Sequence, residues 1–156
     1  MQSNLPPCLP ILIVGAGVLG LCTAVELKLR GHGVVVIDPG GRNASGVAAG
    51  MIAPASESLL ENASPEQAAL LRRGAGLWPD FARRTGLALD PTPAIWRTDD
   101  APAVRRTLIA TGFDPALLVV TSRGLSLGTD LRVDVPVAIA RLRSVLGKDV
   151  QSDRVE

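Results

Sequence analysis

The chain has 156 residues, a formal net charge of +1 and 47% hydrophobic residues, but only 3% aromatic residues and no tyrosine. That length suits one domain or slightly more and is enough to bury a core, which Ala, Val and Leu must build. The near-zero net charge gives no electrostatic argument for nucleic acid or for an anionic membrane as partner.

Met1 to Pro10 reads as a proline-containing leader, set apart from the fold over residues 1–8. It lacks the basic start and apolar run of a signal peptide, and no segment is long and apolar enough to predict a membrane span. The two cysteines, Cys8 and Cys22, are isolated, so neither a disulfide framework nor a metal site is expected. A reducing cytoplasm is the expected location, with Cys22 as a small core residue.

Ile11 to Asp38, ILIVGAGVLGLCTAVELKLRGHGVVVID, carries the strongest signal. An apolar run from Ile11 to Val14 predicts a strand. A turn follows through Gly15-Ala16-Gly17-Val18-Leu19-Gly20, and then a helical pattern with Leu21, Val25 and Leu29 on one side. Gly31-His32-Gly33 stops the helix, and Val34 to Ile37 predicts a second strand that ends on Asp38. Each glycine has a physical task in such a unit. Gly15 allows the sharp turn, Gly17 lets a pyrophosphate approach the backbone, and Gly20 lets helix and strand pack closely. The helix N-terminus offers free N–H groups and a positive dipole end to a phosphate. Asp38 stands where a carboxylate accepts hydrogen bonds from both ribose hydroxyls, and it would repel a 2′-phosphate, which disfavours NADP. A lone glycine motif is weak, and a glycine-rich turn in some other α/β unit is the alternative. The strand, helix and acid around it make a dinucleotide site the better reading, with FAD and NAD both open. His32 reads as a surface turn residue.

Pro39 to Met51 is a loop of small residues, with a short helical turn near Val47 to Gly50. Ser56 to Asn62 reads as a connector. Ser64-Pro65-Glu66-Gln67 predicts a helix start with a capping box. Leu70, Leu71, Leu77, Trp78 and Phe81 supply an apolar face that Gly74, Gly76 and Pro79 would weaken or kink, and Thr85-Gly86 closes the helix. Leu87 to Asp90 and Ala94 to Thr98 predict short strands. Asp99-Asp100-Ala101-Pro102 starts a helix to about Thr111. Asp114 to Val120 is ambiguous, and Thr121 to Gly128 reads as loop. Leu131 to Val133 suggests a strand, Val135 to Leu146 a helix, and Val150 the start of a third parallel strand. The arginine pairs Arg72-Arg73, Arg83-Arg84 and Arg105-Arg106 read as solvated faces.

The Gly15–Gly20 turn, the acid and the Ala44 to Pro54 segment, ASGVAAGMIAP, together resemble the D-amino-acid oxidase family of FAD-dependent oxidoreductases. The likeness is strongest to its glycine oxidase branch of thiamine biosynthesis. Leu77-Trp78-Pro79 and Asp134-Val135-Pro136 match further family elements, while about Asp99 to Leu127 matches poorly. The resemblance implies an α/β fold: a Rossmann-like FAD-binding βαβ unit with a parallel sheet, plus part of a mixed α+β insert, in truncated form. It implies an FAD-binding domain over 9–60 and 133–156, with 61–132 as a helical segment and the start of a substrate domain.

By the same resemblance, Gly15, Gly17, Val18, Leu19 and Gly20 would hold the FAD pyrophosphate, and Asp38 the ribose, with Pro39 beside it. Ala44 and Ser45 would lie along the pyrophosphate, and Ala49, Gly50 and Met51 close to the isoalloxazine, where backbone N–H groups can stabilise negative charge. An ordinary loop serine at 45 and core packing at Met51 are the alternatives. The implied activity is oxidation of a small-molecule amine or amino acid by hydride transfer to flavin. Members of the family are more than twice as long. Their substrate-clamping arginine belongs to a portion with no match here, so no catalytic residue is named. A dinucleotide-binding module without catalysis of its own, and a small NAD-dependent protein, are the other readings. A sheet left short of strands predicts an unpaired edge and hence self-association or a complementing chain.

Overall fold

The computed structural model describes residues 9–41 and 44–153. The leader predicted over residues 1–8, with Cys8, lies outside the described residues. In chain order the elements are β1 (Ile11–Val14), α1 (Val18–Leu29), β2 (Val34–Ile37), a 3-10 turn (Ala44–Val47), β3 (Met51–Ile52), α2 (Pro54–Leu60) and α3 (Pro65–Thr85). They continue as β4 (Ala94–Trp96), α4 (Ala101–Ala110), a 3-10 turn (Pro115–Leu117), β5 (Leu118–Thr121), β6 (Gly124–Leu127), β7 (Leu131–Arg132), α5 (Val135–Leu146), a 3-10 turn (Gly147–Asp149) and β8 (Val150–Gln151). The fold is α/β, and the chain divides into two compact units, Met1–Ala49 with Val135–Glu156, and Gly50–Asp134.

The first unit is built on a parallel sheet of order β1-β2-β8. β1 and β2 pair from Ile11↔Val34 to Val14↔Ile37, and β8 pairs Val150 with Val36. β8 is the third strand that the sequence suggests near Val150. Helix α1 buries Leu21, Ala24 and Val25 fully and packs on α5, whose Leu142 and Leu146 are also buried. Leu29 is not on that face: it is 46% exposed. Lys28 turns inward from the last turn instead, where its Nζ donates to the Leu146 carbonyl at 3.1 Å and to Asp149 Oδ2 at 2.6 Å. A cation at the end of α5 adds a donor to a carbonyl at the helix C-terminus, where the dipole favours positive charge. Cys22 is half-buried, and burial pushes its thiol up to about 11, so it is protonated and inert at neutral pH.

The second unit holds an antiparallel sheet of order β4-β6-β5 and a two-stranded ribbon of β3 and β7. Its core gathers Ala55, Ala68, Ala101, Leu108, Phe113, Leu118, Leu125 and Leu127. Helix α3 starts on the predicted capping box: the Ser64 amide donates to Gln67 Oε1 at 2.8 Å, and the Gln67 amide donates to Ser64 Oγ at 3.3 Å. It ends at Gly86, whose φ of 71° is a left-handed conformation that glycine adopts without strain. Pro79 lies within the helix, so neither it nor Gly74 or Gly76 ends the element. The buried face is Ala68, Phe81, Ala82 and Thr85, whereas Leu70 and Leu77 are exposed, so tertiary packing selects a different stripe from the one the leucines mark.

Several local expectations differ from the structure. Ser56 to Asn62 is mostly helix α2 rather than a connector. Its start is held by Asp130, a buried carboxylate that accepts from the Ala55 amide at 3.0 Å, the Ser56 amide at 3.2 Å and Ser56 Oγ at 2.6 Å. That anchor lies far along the chain, so local propensity could not show it. Thr121 to Gly128 is not a loop but the turn and second strand of a hairpin, with Leu125 and Leu127 buried on one face. Leu87 to Asp90 contributes only an isolated bridge from Asp90 to Arg132. Two arginines read as solvated are docked: Arg72 donates to the Thr111 carbonyl and lies 5.0 Å over the Phe113 ring, and Arg105 Nε donates to the Leu118 carbonyl at 2.8 Å. The guanidinium covers an aromatic face while its donors reach backbone carbonyls.

Two outcomes are expected. A Cβ built on Gly20 would lie 2.0 Å from the Gly15 carbonyl oxygen, whereas one on Gly74 meets nothing within 4 Å. Gly20→Ala should therefore destabilise the first unit by about 3 kcal/mol, while Gly74→Ala, in an exposed helix interior, should stabilise by about 1 kcal/mol in urea unfolding. Equal small effects of both would contradict the close helix–strand approach. Asp130→Ala strands three buried donors and should cost about 3 kcal/mol by the same measurement; a loss within about 0.5 kcal/mol, the range of an ordinary surface change, would contradict the anchoring role.

Candidate functional site

The first unit brings the sequence-nominated residues of the glycine turn and the second strand together. Gly15 leaves β1 with φ of 98°, and its amide donates to the Ile37 carbonyl at 2.8 Å, which ties the turn to the end of β2. A positive φ of this size suits glycine and strains any residue with a Cβ. Gly17 is the N-cap of α1, where it supplies no side-chain cap, and no acid stands in the first turn. The positive end of the helix is thus left for an anion.

Ser45 reaches this end from the 3-10 turn. Its Oγ accepts from the Val18 amide at 2.9 Å. A Cβ on Gly17 would lie 3.0 Å from the same Oγ, so the absence of a side chain there is what allows the hydroxyl in. Ala44 and Ala49 are exposed on the same segment, and Leu19 is exposed on α1. A pyrophosphate fits such a cradle: small residues, a helix N-terminus with no acid in its first turn, and a hydroxyl that both accepts and donates.

Asp38 is buried at the end of β2. Its Oδ2 accepts from the Ala16 amide, and its Oδ1 accepts from the Gly40 amide at 2.7 Å. The Ala16 hydrogen bond holds its carboxyl below the usual carboxylate range; burial opposes that shift, and the Gly40 amide and the nearby Arg143 reinforce it. Asp38 is therefore ionised at neutral pH and keeps acceptor capacity for ribose hydroxyls, since a carboxylate offers about four lone-pair positions. Pro39 follows it on the exposed surface. Arg143 of α5 lies 3.8 Å from Asp38 Oδ1. No motif in the sequence pointed to it, because nothing in the spacing of α5 links it to the acid.

Gly50 and Met51 belong to the second unit. The Gly50 carbonyl accepts from the Val133 amide at 2.9 Å, and Gly50 has φ of 72°. Met51 opens β3 opposite Arg132 and is 49% exposed, so it is not the packed core residue of the alternative reading. Among the described residues, no three His, Cys, Asp or Glu side chains are placed to share a metal ion, and no helix is long and apolar enough to cross a membrane.

Comparison with known proteins adds the family. The sequence profile of the DAO family, FAD dependent oxidoreductase, matches residues 10–122. The bifunctional protein ThiO/ThiG of Trichormus variabilis is 40% identical over 75 residues, which is 47% of this chain and 11% of that protein. Among solved structures, iminodiacetate oxidase from Chelativorans sp. BNC1 superposes with a TM-score of 0.73 at 20% identity, over 92% of this chain and 47% of that one. Glycine oxidase from Geobacillus kaustophilus superposes with a TM-score of 0.69 at 24% identity, over 90% of this chain and 45% of that one. The chain thus spans less than half the length of each solved relative. The likeness to these structures extends the family fold across nearly the whole chain, and the chain belongs to the DAO family of FAD-dependent oxidoreductases, whose cofactor is FAD.

Proposed function

We propose that this chain is the dinucleotide-binding part of an FAD-dependent oxidoreductase of the glycine oxidase type, acting on a small amine or amino acid. The observation that carries this reading is the meeting of Ser45 Oγ with the Val18 amide at Gly17. The segment that follows the acid is folded back onto the N-terminus of α1, which an NAD-type reading gives no reason to expect. Gly15, Gly17, Val18, Leu19 and Gly20 would hold the pyrophosphate together with Ala44 and Ser45. Asp38 would hold the adenosine ribose with Pro39 beside it. Ala49, Gly50 and Met51 would line the flavin ring, which supplies the hydride acceptor when FAD is bound. The chain's own part is to orient and to polarise. Two solved relatives are named for glycine and for iminodiacetate, both small amines bearing carboxylate, and that is the substrate class proposed. Cytoplasmic residence is proposed with it, from two isolated cysteines.

A second reading, a nucleotide-binding module that acts only with a complementing chain or a second copy, is favoured by one observation. Among the described strands β1 pairs only with β2, and its Leu12 and Val14 are 55% and 64% exposed. An unpaired strand edge with exposed apolar side chains invites a further strand.

The visible spectrum of the purified chain, taken after incubation with FAD and desalting, tests the main reading. Retained flavin bands are expected, and Ser45→Ala should weaken FAD about fivefold through loss of one hydrogen bond of roughly 1 kcal/mol. Tighter binding of NADH than of FAD would overturn it. FAD retained without peroxide release across an amino-acid screen would select the second reading.

A further inference from the structure

Asp38 by itself predicts a ribose end closed to extra negative charge, but the structure does not leave it by itself. Arg143 lies 3.8 Å from Asp38 Oδ1, beyond hydrogen-bond distance, with its side chain 40% exposed. Among the described residues, no hydrogen bond takes up its N–H groups. The Asp38 oxygens are instead held by the Ala16 and Gly40 amides, so the acid is fixed in place without using the guanidinium. The result is an acid and a cation side by side at the end of β2, each with capacity left over. The acid accepts hydroxyl protons, and the guanidinium presents a planar fork that matches phosphate geometry. Lys28, the other cation on the neighbouring helix α1, is already paired with Asp149 and does not compete for an incoming anion.

We propose that Arg143 is a specificity-determining residue of this site, and that with it the ribose end accepts adenine nucleotides carrying a 2′-phosphate as well as those with a free hydroxyl. This rests on the reading of Asp38 as the ribose acceptor. The cation offsets the charge of the acid and supplies donors to the added phosphate, so the site does not exclude the NADP class of nucleotide as an isolated acid would.

Isothermal titration calorimetry of the full chain with ADP-ribose and with 2′-phospho-ADP-ribose tests the proposal. Arg143 is half-buried on α5 and is not among the buried core residues; Arg143→Gln removes the cation while keeping much of the side-chain stem, and Arg143→Lys keeps the charge without the fork. The unmodified chain is expected to bind the two probes within about threefold of each other, and Arg143→Gln to weaken the 2′-phosphorylated probe about tenfold or more while ADP-ribose changes less than about threefold. Arg143→Lys should fall between. Equal weakening of both probes by Arg143→Gln, or rejection of the 2′-phosphorylated probe by the unmodified chain while ADP-ribose binds, would overturn the proposal alone. Failure of ADP-ribose to bind the unmodified chain would overturn the nucleotide reading beneath it.

Discussion

The Asp38 carboxylate takes the Ala16 amide as a hydrogen-bond donor, and the first unit depends on that bond. It joins the end of β2 to the middle of the glycine turn, so the turn cannot open without stranding a buried charge. The Gly15 amide makes the second tie, to the Ile37 carbonyl. Between these two points the backbone has one course, and that course delivers the N-terminus of α1 to the place where the strands end. Gly20 then lets α1 lie against the Gly15 carbonyl at a separation that no side chain would tolerate. The proposed places for an anionic group at Gly17 and for a ribose at Asp38 are therefore set by one local closure.

The second unit uses the same device with different chemistry. Asp130 is buried and accepts from the Ala55 amide, the Ser56 amide and Ser56 Oγ, which fixes the start of α2. The adjoining β7 pairs with β3, so Met51 and Ile52 are fastened at both ends of a short stretch. Ordering a loop of small residues costs conformational entropy, and a buried, fully satisfied carboxylate is an effective way to offset it. The Gly50–Met51 stretch is consequently held to backbone partners rather than left as a free loop, which suits residues expected to approach a flat ring.

What the sequence showed, and what it hid, follows from the range of each interaction. The strand, glycine turn, helix and acid were legible because each is a local pattern with one physical solution. The capping box at Ser64 was legible for the same reason. The importance of residues 44–51 was legible only through family likeness, since neither period 2 nor period 3.6 runs through them. The meeting of Ser45 with Val18 is a tertiary event that spacing does not encode. Arg143, Asp130 and Lys28 were hidden because each acts on a distant backbone segment or charge, and each reads locally as an ordinary polar residue of a helix or loop. The leucines of α3 misled for a related reason: hydrophobicity marks a stripe, but the neighbours present decide which stripe is covered.

We propose that the Gly15–Gly20 turn, Asp38 and Ser45 act together as one dinucleotide cradle. Amide chemical-shift mapping of the ¹⁵N-labelled chain during FAD titration would report on each of these residues separately. Saturable shifts are expected at Gly15 to Gly20, Gly40 and Ser45, with the amides of helix α4 unmoved. Saturable shifts centred elsewhere, with the Gly17 and Val18 amides unaffected, would contradict it.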